Sequence, residues 1–155
     1  MAIEIERKFL VCDDSWRTQA DSGVFYSQGY LSTDPQRCVR VRIAGARAWL
    51  NVKSAVSLLR RLEYEYEIPL GDARELLHGV CVQPTVEKTR YHVAHQGHVW
   101  ELDVFAGANT GLVVAELELA DEQEPFARPA WLGREVSDDA RYYNMNLAQV
   151  PYTQW

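Results

Sequence analysis

The sequence is poor in the features that mark secreted, zinc-binding and membrane-spanning proteins. It has only three cysteines among 155 residues, widely separated and without a CxxC spacing. A disulfide framework and a structural zinc site are therefore disfavoured, and a cytoplasmic location is predicted. No apolar run approaches the roughly 20 residues that a helix needs to cross a bilayer, so no membrane role is expected.

Positive charge is also scarce. The chain has 16 Lys and Arg residues against 22 Asp and Glu residues, for a net charge of −6. Nucleic-acid binding requires a basic surface and is therefore not predicted, whereas a small anion bound locally is compatible with the acidic total. No repeat, low-complexity stretch or long linker is present. The length is that of one domain, so residues 1–155 are predicted to form a single domain.

The dominant positive signal is β-strand alternation. Apolar and polar residues alternate with a period of two along most of the chain, which is typical of half-buried strands. Gly45 and the Gln96-Gly97 pair separate neighbouring runs and predict hairpins, so most strands should be antiparallel. The eight predicted strands are residues 2–11, 24–31, 38–43, 48–53, 61–68, 85–93, 99–105 and 112–119.

Helix signals are fewer. Asp72 is placed to cap a helix that would end at Gly79. Ser137 is placed to begin a second helix that would run to about residue 148, and residues 13–20 predict a short third helix. Prolines and a glycine predict that residues 125–133 are irregular.

The polar faces of the strands are made almost wholly of ionisable side chains. For a single strand, a solvated sheet face is the ordinary interpretation. Like charges two residues apart on a strand, however, lie about 6–7 Å from each other and repel unless opposite charges face them. The acids on these faces are Glu4, Glu6, Glu63, Glu65, Glu67, Glu101, Asp103, Glu116 and Glu118. The bases are Lys8, Arg40, Arg42, Lys53, Arg61, Lys88 and Arg90.

A sheet closed into a barrel, with the charged faces inward, explains this pattern. Eight strands enclose an interior that holds side chains or one small ligand, and helices would cover the apolar outer faces. Burial costs several kcal/mol for each ion without a partner, so the interior is predicted to be a binding site. Arg7, the one charge on the apolar face of the first strand, is predicted to form an ion pair on the outer surface.

The predicted fold class is α+β, mostly β: an eight-stranded antiparallel closed β-barrel with a charged interior and a few covering helices. A ligand that carries both signs of charge, such as a polyphosphate with a divalent metal, suits that interior. Carboxylates are ligands for Mg²⁺ or Mn²⁺, and Arg and Lys bind phosphate oxygens.

An ordered series of short motifs spans nearly the whole chain. It begins with Glu4-x-Glu6-x-Lys8, which matches the pattern ExExK. The later motifs are Gln28–Leu31, Arg40-x-Arg42, Lys53-Ser54, Arg61–Glu65, Glu87–Tyr91, Glu101–Phe105, Glu116-x-Glu118 and Arg141-Tyr142. In these motifs and their order the chain resembles the CYTH superfamily, the triphosphate tunnel metalloenzymes. It is most similar to the short bacterial members, some of which are tripolyphosphatases.

The resemblance implies a hydrolase that uses Mg²⁺ or Mn²⁺ to cleave inorganic triphosphate into diphosphate and phosphate, with nucleoside triphosphates as further substrates. The implied metal ligands are Glu4, Glu6, Glu116 and Glu118, with Glu63, Glu65 and Asp103 positioning a second metal. The implied substrate-binding residues are Lys8, Arg40, Arg42, Lys53, Arg61, Lys88, Arg90 and Arg141. Lys88, Arg90 and Tyr30 are the predicted catalytic residues, Tyr30 as a group that orients or deprotonates water.

Other interpretations remain open at this point. A class IV-type adenylate cyclase or a thiamine triphosphatase would use the same tunnel, and a non-catalytic module would bind polyphosphate or nucleotide without turnover. A β-sandwich with one charged face is the plainest alternative. An exposed outer barrel face is compatible with a homodimer. In one departure from related sequences, which carry lysines near Arg141, the chain has no lysine over residues 142–149.

Overall fold

A single antiparallel sheet that closes on itself dominates the computed structural model, which describes residues 3–155. Its nine strands are β1 (Ile3–Val11), β2 (Val24–Ser32), β3 (Cys38–Ala44), β4 (Arg47–Ala55), β5 (Arg60–Ile68), β6 (Val86–His95), β7 (His98–Phe105), β8 (Val113–Leu119) and β9 (Leu132–Glu135). The eight predicted strands are confirmed to within two residues at each described end. Ala2, which the first prediction included, lies outside the described residues.

The barrel contains the first eight strands. Around its circumference the order is β1, β8, β7, β6, β2, β3, β4 and β5, and β5 pairs with β1 to complete the circle. All of these neighbours are antiparallel. The predicted closed eight-stranded barrel is therefore confirmed.

Strand β1 holds the closure together from both sides. One of its edges pairs with β8 along residues 5–10. Its other edge is divided, because residues 3–5 pair with β5 while Phe9 and Val11 pair with the short strand β9. Arg7 makes a two-bond ion pair with Glu135 of β9, at 2.6 and 2.9 Å, which confirms its predicted ion pair. This bidentate contact helps to fasten β9 to the barrel.

Strand β9 was not predicted, since residues 125–133 were expected to be irregular. It is only four residues long, and Gly133 lies where an added Cβ would meet the Leu10 carbonyl oxygen at 2.9 Å. Four residues are too few to show an alternating pattern, and one of the four is a glycine without a side chain.

The predicted hairpin turns are confirmed. Gly45 lies between β3 and β4 with φ +62°. Gln96 and Gly97 join β6 to β7 with φ values of 45° and 86°. Positive φ at both central residues is the two-residue turn whose twist matches that of paired strands.

The helices differ from their predictions in detail. Helix α1 (Leu70–Gly79) ends where expected, but it begins after Pro69, and Asp72 lies in its first turn and does not cap it. The predicted helix from Ser137 is a 3-10 turn at Ala140–Tyr142 followed by the short helix α2 (Asn144–Gln149). Tyr143 separates the two because its backbone is extended. Residues 13–20 contain a 3-10 turn, Ser15–Gln19. No helix within residues 3–155 is long and apolar enough to cross a bilayer.

The outer face of the barrel is covered unevenly. Helix α1 packs Ala73 and Leu77 against Val41 of β3. On another side, tryptophans at positions 16, 100 and 131 form an aromatic cluster with Phe9. The outer face of β5 has no such cover, and Tyr66 is 58% exposed. The prediction of covering helices therefore applies to only part of the barrel.

One end of the barrel interior is apolar. Leu10, Val86, Phe105 and Val114 share the inward faces of their strands with charged residues further along, and they cluster with Leu147 of α2. The C-terminal segment thus packs into this end, and the charged part of the interior begins beyond it.

Candidate active site

The charged interior forms a cavity of about 370 Å³. Six carboxylates and seven cationic side chains line it, which leaves the walls close to neutral overall. The carboxylates are Glu4, Glu6, Glu63, Glu101, Glu116 and Glu118. The cations are Lys8, Arg40, Arg42, Lys53, Arg61, Lys88 and Arg90. All of the predicted bases except Arg141 therefore meet in one place.

Lys88 and Arg90 are held by a carboxylate behind them. Asp103 is completely buried and accepts hydrogen bonds from Lys88 Nζ at 2.7 Å and from Arg90 Nε and Nη2 at 2.7 and 2.8 Å. Burial alone would raise the pKa of Asp103. Arg90 and Lys88 lower it by more than burial raises it, so the pKa of Asp103 is below its ordinary value. Burial lowers the pKa of Lys88 to about 8, and Arg90 adds to this while Asp103 opposes it. This arrangement fixes two cations at the cavity wall.

Glu116 links these cations to β1. Its carboxylate lies 3.1 Å from Arg90 Nη2 and 3.4 Å from Lys8 Nζ. Burial alone would raise the pKa of Glu116, but Lys8 and Arg90 hold it well below its ordinary range. Glu116 is therefore ionised and already paired.

Lys53 forms a second, separate ion-paired group. Its Nζ lies 3.0 Å from Glu4 and 3.0 Å from Glu63. Burial would raise the pKa of Glu63, but Lys53 and a contact with Glu4 lower it to about 2. Burial raises the pKa of Glu4 despite the same lysine. Glu4 and Glu63 thus contact the same ammonium at the same distance, but their pKa values shift in opposite directions.

Three arginines in the cavity have no carboxylate partner. Arg40, Arg42 and Arg61 make none of the ion pairs within 4.0 Å that are found among residues 3–155. Arg40 is 7% exposed, and its Nε has no hydrogen-bond acceptor. Burial, together with Arg40 and Arg90, lowers the pKa of Arg42 to about 10. Guanidinium groups without carboxylate partners are suited to an anion that brings its own oxygens.

Two carboxylates in the cavity have no cationic partner. Glu6 and Glu118 are directly opposite each other across β1 and β8, and neither makes an ion pair within residues 3–155. Burial and the neighbouring Glu116 raise the pKa of Glu6 to about 7. Burial and Glu101 raise the pKa of Glu118. These shifts are what carboxylates show when the counter-charge that would stabilise their ionised form is missing.

The donor chemistry at Glu6 and Glu118 fits a divalent metal ion. Mg²⁺ and Mn²⁺ prefer carboxylate oxygens, and a dication would supply the missing positive charge. Within residues 3–155, no three His, Cys, Asp or Glu side chains are drawn together as a complete ligand set. The fit therefore rests on the charge and chemistry of the two acids.

Tyr30 lies at the cavity wall and is only 3% exposed. Burial raises its pKa to about 12, although Arg40 opposes the shift. The phenol is therefore protonated at neutral pH and is suited to donating a hydrogen bond. This favours the orienting role that was predicted for Tyr30 over the role of a base.

Three predicted site residues do not line the cavity. Asp103 lies behind Lys88 and Arg90, as described above. Glu65 is exposed and accepts a hydrogen bond from Asn51 at 2.6 Å. Arg141 is exposed and pairs with Asp139 at 2.7 Å. Arg141 belongs to the 3-10 turn Ala140–Tyr142 and not to a barrel strand.

Sequence reasoning missed the contribution of the C-terminal segment. Tyr143, Asn144 and Met145 all line the cavity. Lys8 Nζ donates to the Tyr142 carbonyl oxygen at 3.3 Å, and Asn144 binds Lys88. No alternation marks this segment, because it reaches the cavity from the end of the barrel and not from a strand.

Comparisons with known proteins agree with this architecture. The family model described as CYTH domain matches residues 2–144. An inorganic triphosphatase of Acetivibrio thermocellus is 48% identical over 152 residues, which are 98% of this chain and 97% of that protein. An inorganic triphosphatase of Nitrosomonas europaea is 38% identical over 149 residues, 94% of this chain and 96% of that protein.

Solved structures show the same fold. The crystal structure of an inorganic triphosphatase has a TM-score of 0.67 and 37% identity, over 96% of this chain and 95% of that chain. A protein from Pyrococcus horikoshii shares the fold with a TM-score of 0.60 at 20% identity, over 77% of this chain and 79% of that chain. From its barrel, its ordered motifs and these matches, we conclude that the chain belongs to the CYTH domain family.

Proposed function

We propose that this protein is a divalent-metal-dependent triphosphatase that hydrolyses inorganic triphosphate to diphosphate and phosphate. The observation that carries the proposal is that one cavity contains both arginines and carboxylates without ion-pair partners. Three arginines have no carboxylate, and two carboxylates have no cation. A triphosphate with a divalent metal completes both sets at once. The relatives that are 48% and 38% identical are inorganic triphosphatases, which supports this choice.

The arginines and lysines would bind the substrate. Arg40, Arg42 and Arg61 line the cavity without a carboxylate partner, and Arg40 Nε has no acceptor at all. Guanidinium groups bind two phosphate oxygens at a time and so fix both position and orientation. Phosphoryl transfer depends mainly on positioning and on neutralising charge, which suits a site this rich in cationic side chains.

Lys88 and Arg90 would act on the departing group. The P–O bond to the terminal phosphorus breaks as a water oxygen bonds to that phosphorus, and negative charge develops on the diphosphate. Asp103 already holds both cations in place, so stabilising that charge needs no rearrangement of them. Tyr30 would donate a hydrogen bond that orients the substrate or the attacking water.

Glu6 and Glu118 would hold the metal, with Glu4 and Glu116 as neighbouring ligands that are now paired with lysines. We propose Mg²⁺ or Mn²⁺ as the ion because the donors are all carboxylate oxygens. When bound, the metal would neutralise charge on phosphate oxygens and lower the pKa of a water.

Phosphate release tests the proposal. Purified protein is incubated with tripolyphosphate, ATP and thiamine triphosphate, each with Mg²⁺, Mn²⁺ or EDTA. Rapid release from tripolyphosphate, abolished by EDTA, is the expected result. Release from none of the three substrates would refute the proposed function. Faster release from ATP or thiamine triphosphate than from tripolyphosphate would make that compound the preferred substrate.

A further inference from the structure

The C-terminal segment makes its closest polar contact with the cavity through one side chain. Asn144, the first residue of α2, accepts a hydrogen bond from Lys88 Nζ at 2.9 Å. The same oxygen, Oδ1, accepts a second hydrogen bond from Gln28 Nε2 at 2.9 Å. Gln28 is completely buried, and Lys88 is 1% exposed. A single carboxamide oxygen therefore joins α2 to β2 and β6.

The direction of this network follows from its chemistry. Arg42 Nε can only donate, so the Gln28 oxygen faces it, at 3.4 Å. The amino group of Gln28 then faces Asn144, and the ammonium of Lys88 can also only donate. Both neighbours of Asn144 are donors, so its oxygen end must face them. The network thus runs from Arg42 through Gln28 and Asn144 to Lys88.

Asn144 and Asp103 together fix the ammonium of Lys88. A lysine ammonium sits on a flexible stem and has no rigid fork of its own, so its acceptors decide where its hydrogens lie. Asp103 takes one N–H at 2.7 Å and Asn144 takes another at 2.9 Å. One of the three N–H groups remains for a ligand in the cavity.

We propose that Asn144 is a positioning residue for substrate binding, acting through Lys88 and, by way of Gln28, through Arg42. This inference rests on the proposed function, since it assigns Lys88 and Arg42 to the phosphate. A neutral amide suits the task, because it holds the ammonium without cancelling its charge. An aspartate at the same place would compete with phosphate oxygens for Lys88.

The inference also accounts for the lysine-free segment over residues 142–149. This segment contributes an acceptor that arranges cations already present on the strands, and it adds no cation of its own. The ammonium of Lys88 thereby receives its second acceptor from the C-terminal segment.

A double-mutant cycle tests the proposal. The variants are Asn144→Leu, which removes both hydrogen bonds at nearly constant volume, Lys88→Met, and the two combined. The matched control is Asn146→Leu in the same helix, because the Asn146 side chain donates to the Ala140 carbonyl oxygen and lies off the cavity. Two quantities are measured: kcat/KM for tripolyphosphate with metal, and calorimetric binding of tripolyphosphate in EDTA.

We expect Asn144→Leu to weaken both quantities about tenfold in the wild-type background, the usual loss for a hydrogen bond to a charged group. In the Lys88→Met background the same change should cost clearly less, because only the part that acts through Gln28 and Arg42 remains. Asn144→Asp should weaken metal-free binding at least as strongly, and Asn146→Leu should match its parent.

Equal losses in both backgrounds would show a general structural effect and overturn the proposal, as would wild-type values for Asn144→Leu. If wild-type protein binds tripolyphosphate but hydrolyses none, the proposed function fails, while the binding cycle still decides the role of Asn144. No binding of tripolyphosphate by wild-type protein would overturn both.

Discussion

At the scale of residues, the cavity holds its ionisable groups in two conditions. In the first condition, Lys53, Lys88 and Arg90 are each paired with a carboxylate, at 3.0, 2.7 and 2.6 Å. Glu6 and Arg40 represent the other condition, in which a charged group is removed from water without a partner. Such groups destabilise the ligand-free fold, and the ligands that complete them recover that free energy on binding.

Replacing Glu6 by Gln should stabilise the metal-free protein, and more so at higher pH. The folded pKa of Glu6 is about 7, above its ordinary value of 4.5. Its contribution to stability is therefore fully present below pH 4.5 and is lost as pH rises through 7. The melting temperature of Glu6→Gln minus that of wild type, measured in EDTA, should rise between pH 4.5 and 7 and then level off.

The control for Glu6→Gln is Glu75→Gln, which changes an exposed carboxylate on α1 outside the cavity. Its difference from wild type should show no such rise. If the difference in melting temperature between Glu6→Gln and wild type did not change over this pH range, the raised pKa of Glu6 would be contradicted.

Arg40 should affect activity and stability in opposite directions. Arg40→Met removes a buried cation whose Nε has no acceptor, so the unfolding free energy should increase. The same change removes phosphate-binding donors, so kcat/KM for tripolyphosphate should fall about tenfold or more. Denaturant unfolding and steady-state kinetics on one preparation measure both.

Arg47→Met is the comparison for Arg40→Met. Arg47 is exposed and pairs with Glu67 outside the cavity, at 2.6 Å. Exposed pairs contribute little, so neither quantity should change much. Unchanged kinetics in Arg40→Met would remove Arg40 from the binding set, and a loss of stability would contradict the predicted cost of burying this cation without a partner.

At the scale of elements, the sequence predicts strands well and their surroundings poorly. Alternation locates β1 to β8 because these strands separate a polar inner face, charged in most of them, from a largely apolar outer face. Strand β9 is too short to alternate, and Tyr143 interrupts the predicted last helix with an extended backbone. Alternation of apolar and polar residues indicates which face of the sheet a side chain occupies. It gives no information about contacts with segments outside the sheet.

The same limit explains which site residues were predicted. Glu6, Lys88 and Arg40 were found because they repeat along strands. Asp103 lies on the same face as the cavity residues, yet its oxygens are occupied by two neighbouring cations, and only the three-dimensional arrangement shows this. Asn144 gave no periodic signal, since it belongs to a segment that packs into the end of the barrel.

Strand β2 packs closely against α1 and the residues that follow it. A Cβ added at Gly29 would lie 2.8 Å from Cys81 Cβ and 3.0 Å from Leu77 Cδ2. Gly29→Ala should therefore destabilise the protein by about 1–3 kcal/mol, the usual cost of overpacking. Chemical denaturation measures the change.

Gly71 provides the control in α1, since a Cβ there would meet nothing within 4 Å. Gly71→Ala should stabilise by about 0.5–1 kcal/mol, because alanine restricts the unfolded chain and favours helix. If Gly29→Ala behaved like Gly71→Ala, the close approach of α1 to β2 would be contradicted.

At the scale of the whole molecule, one cavity combines two unmatched sets of side chains, which form two half-sites. One set consists of carboxylates that need a cation, and the other consists of arginines that need an anion. Metal and triphosphate should each stabilise the fold separately, since any ligand that binds only the folded state does so.

The two half-sites should be separable by mutation. Mn²⁺ alone and tripolyphosphate in EDTA should each raise the melting temperature of wild-type protein. Glu6→Gln should abolish the shift with Mn²⁺ and keep the shift with tripolyphosphate, whereas Arg40→Met should do the reverse. Loss of both shifts in either variant would contradict the assignment of these two residues to different ligands.

The divided edge of β1 has a consequence for synthesis. Its partners β5, β8 and β9 lie up to 135 residues along the chain, so β1 leaves the ribosome long before the residues that complete its pairing. During that interval its edges are open to other nascent chains. Glu4, Glu6 and Lys8 then act as charged gatekeepers against aggregation, before the enclosure in which they meet a ligand exists.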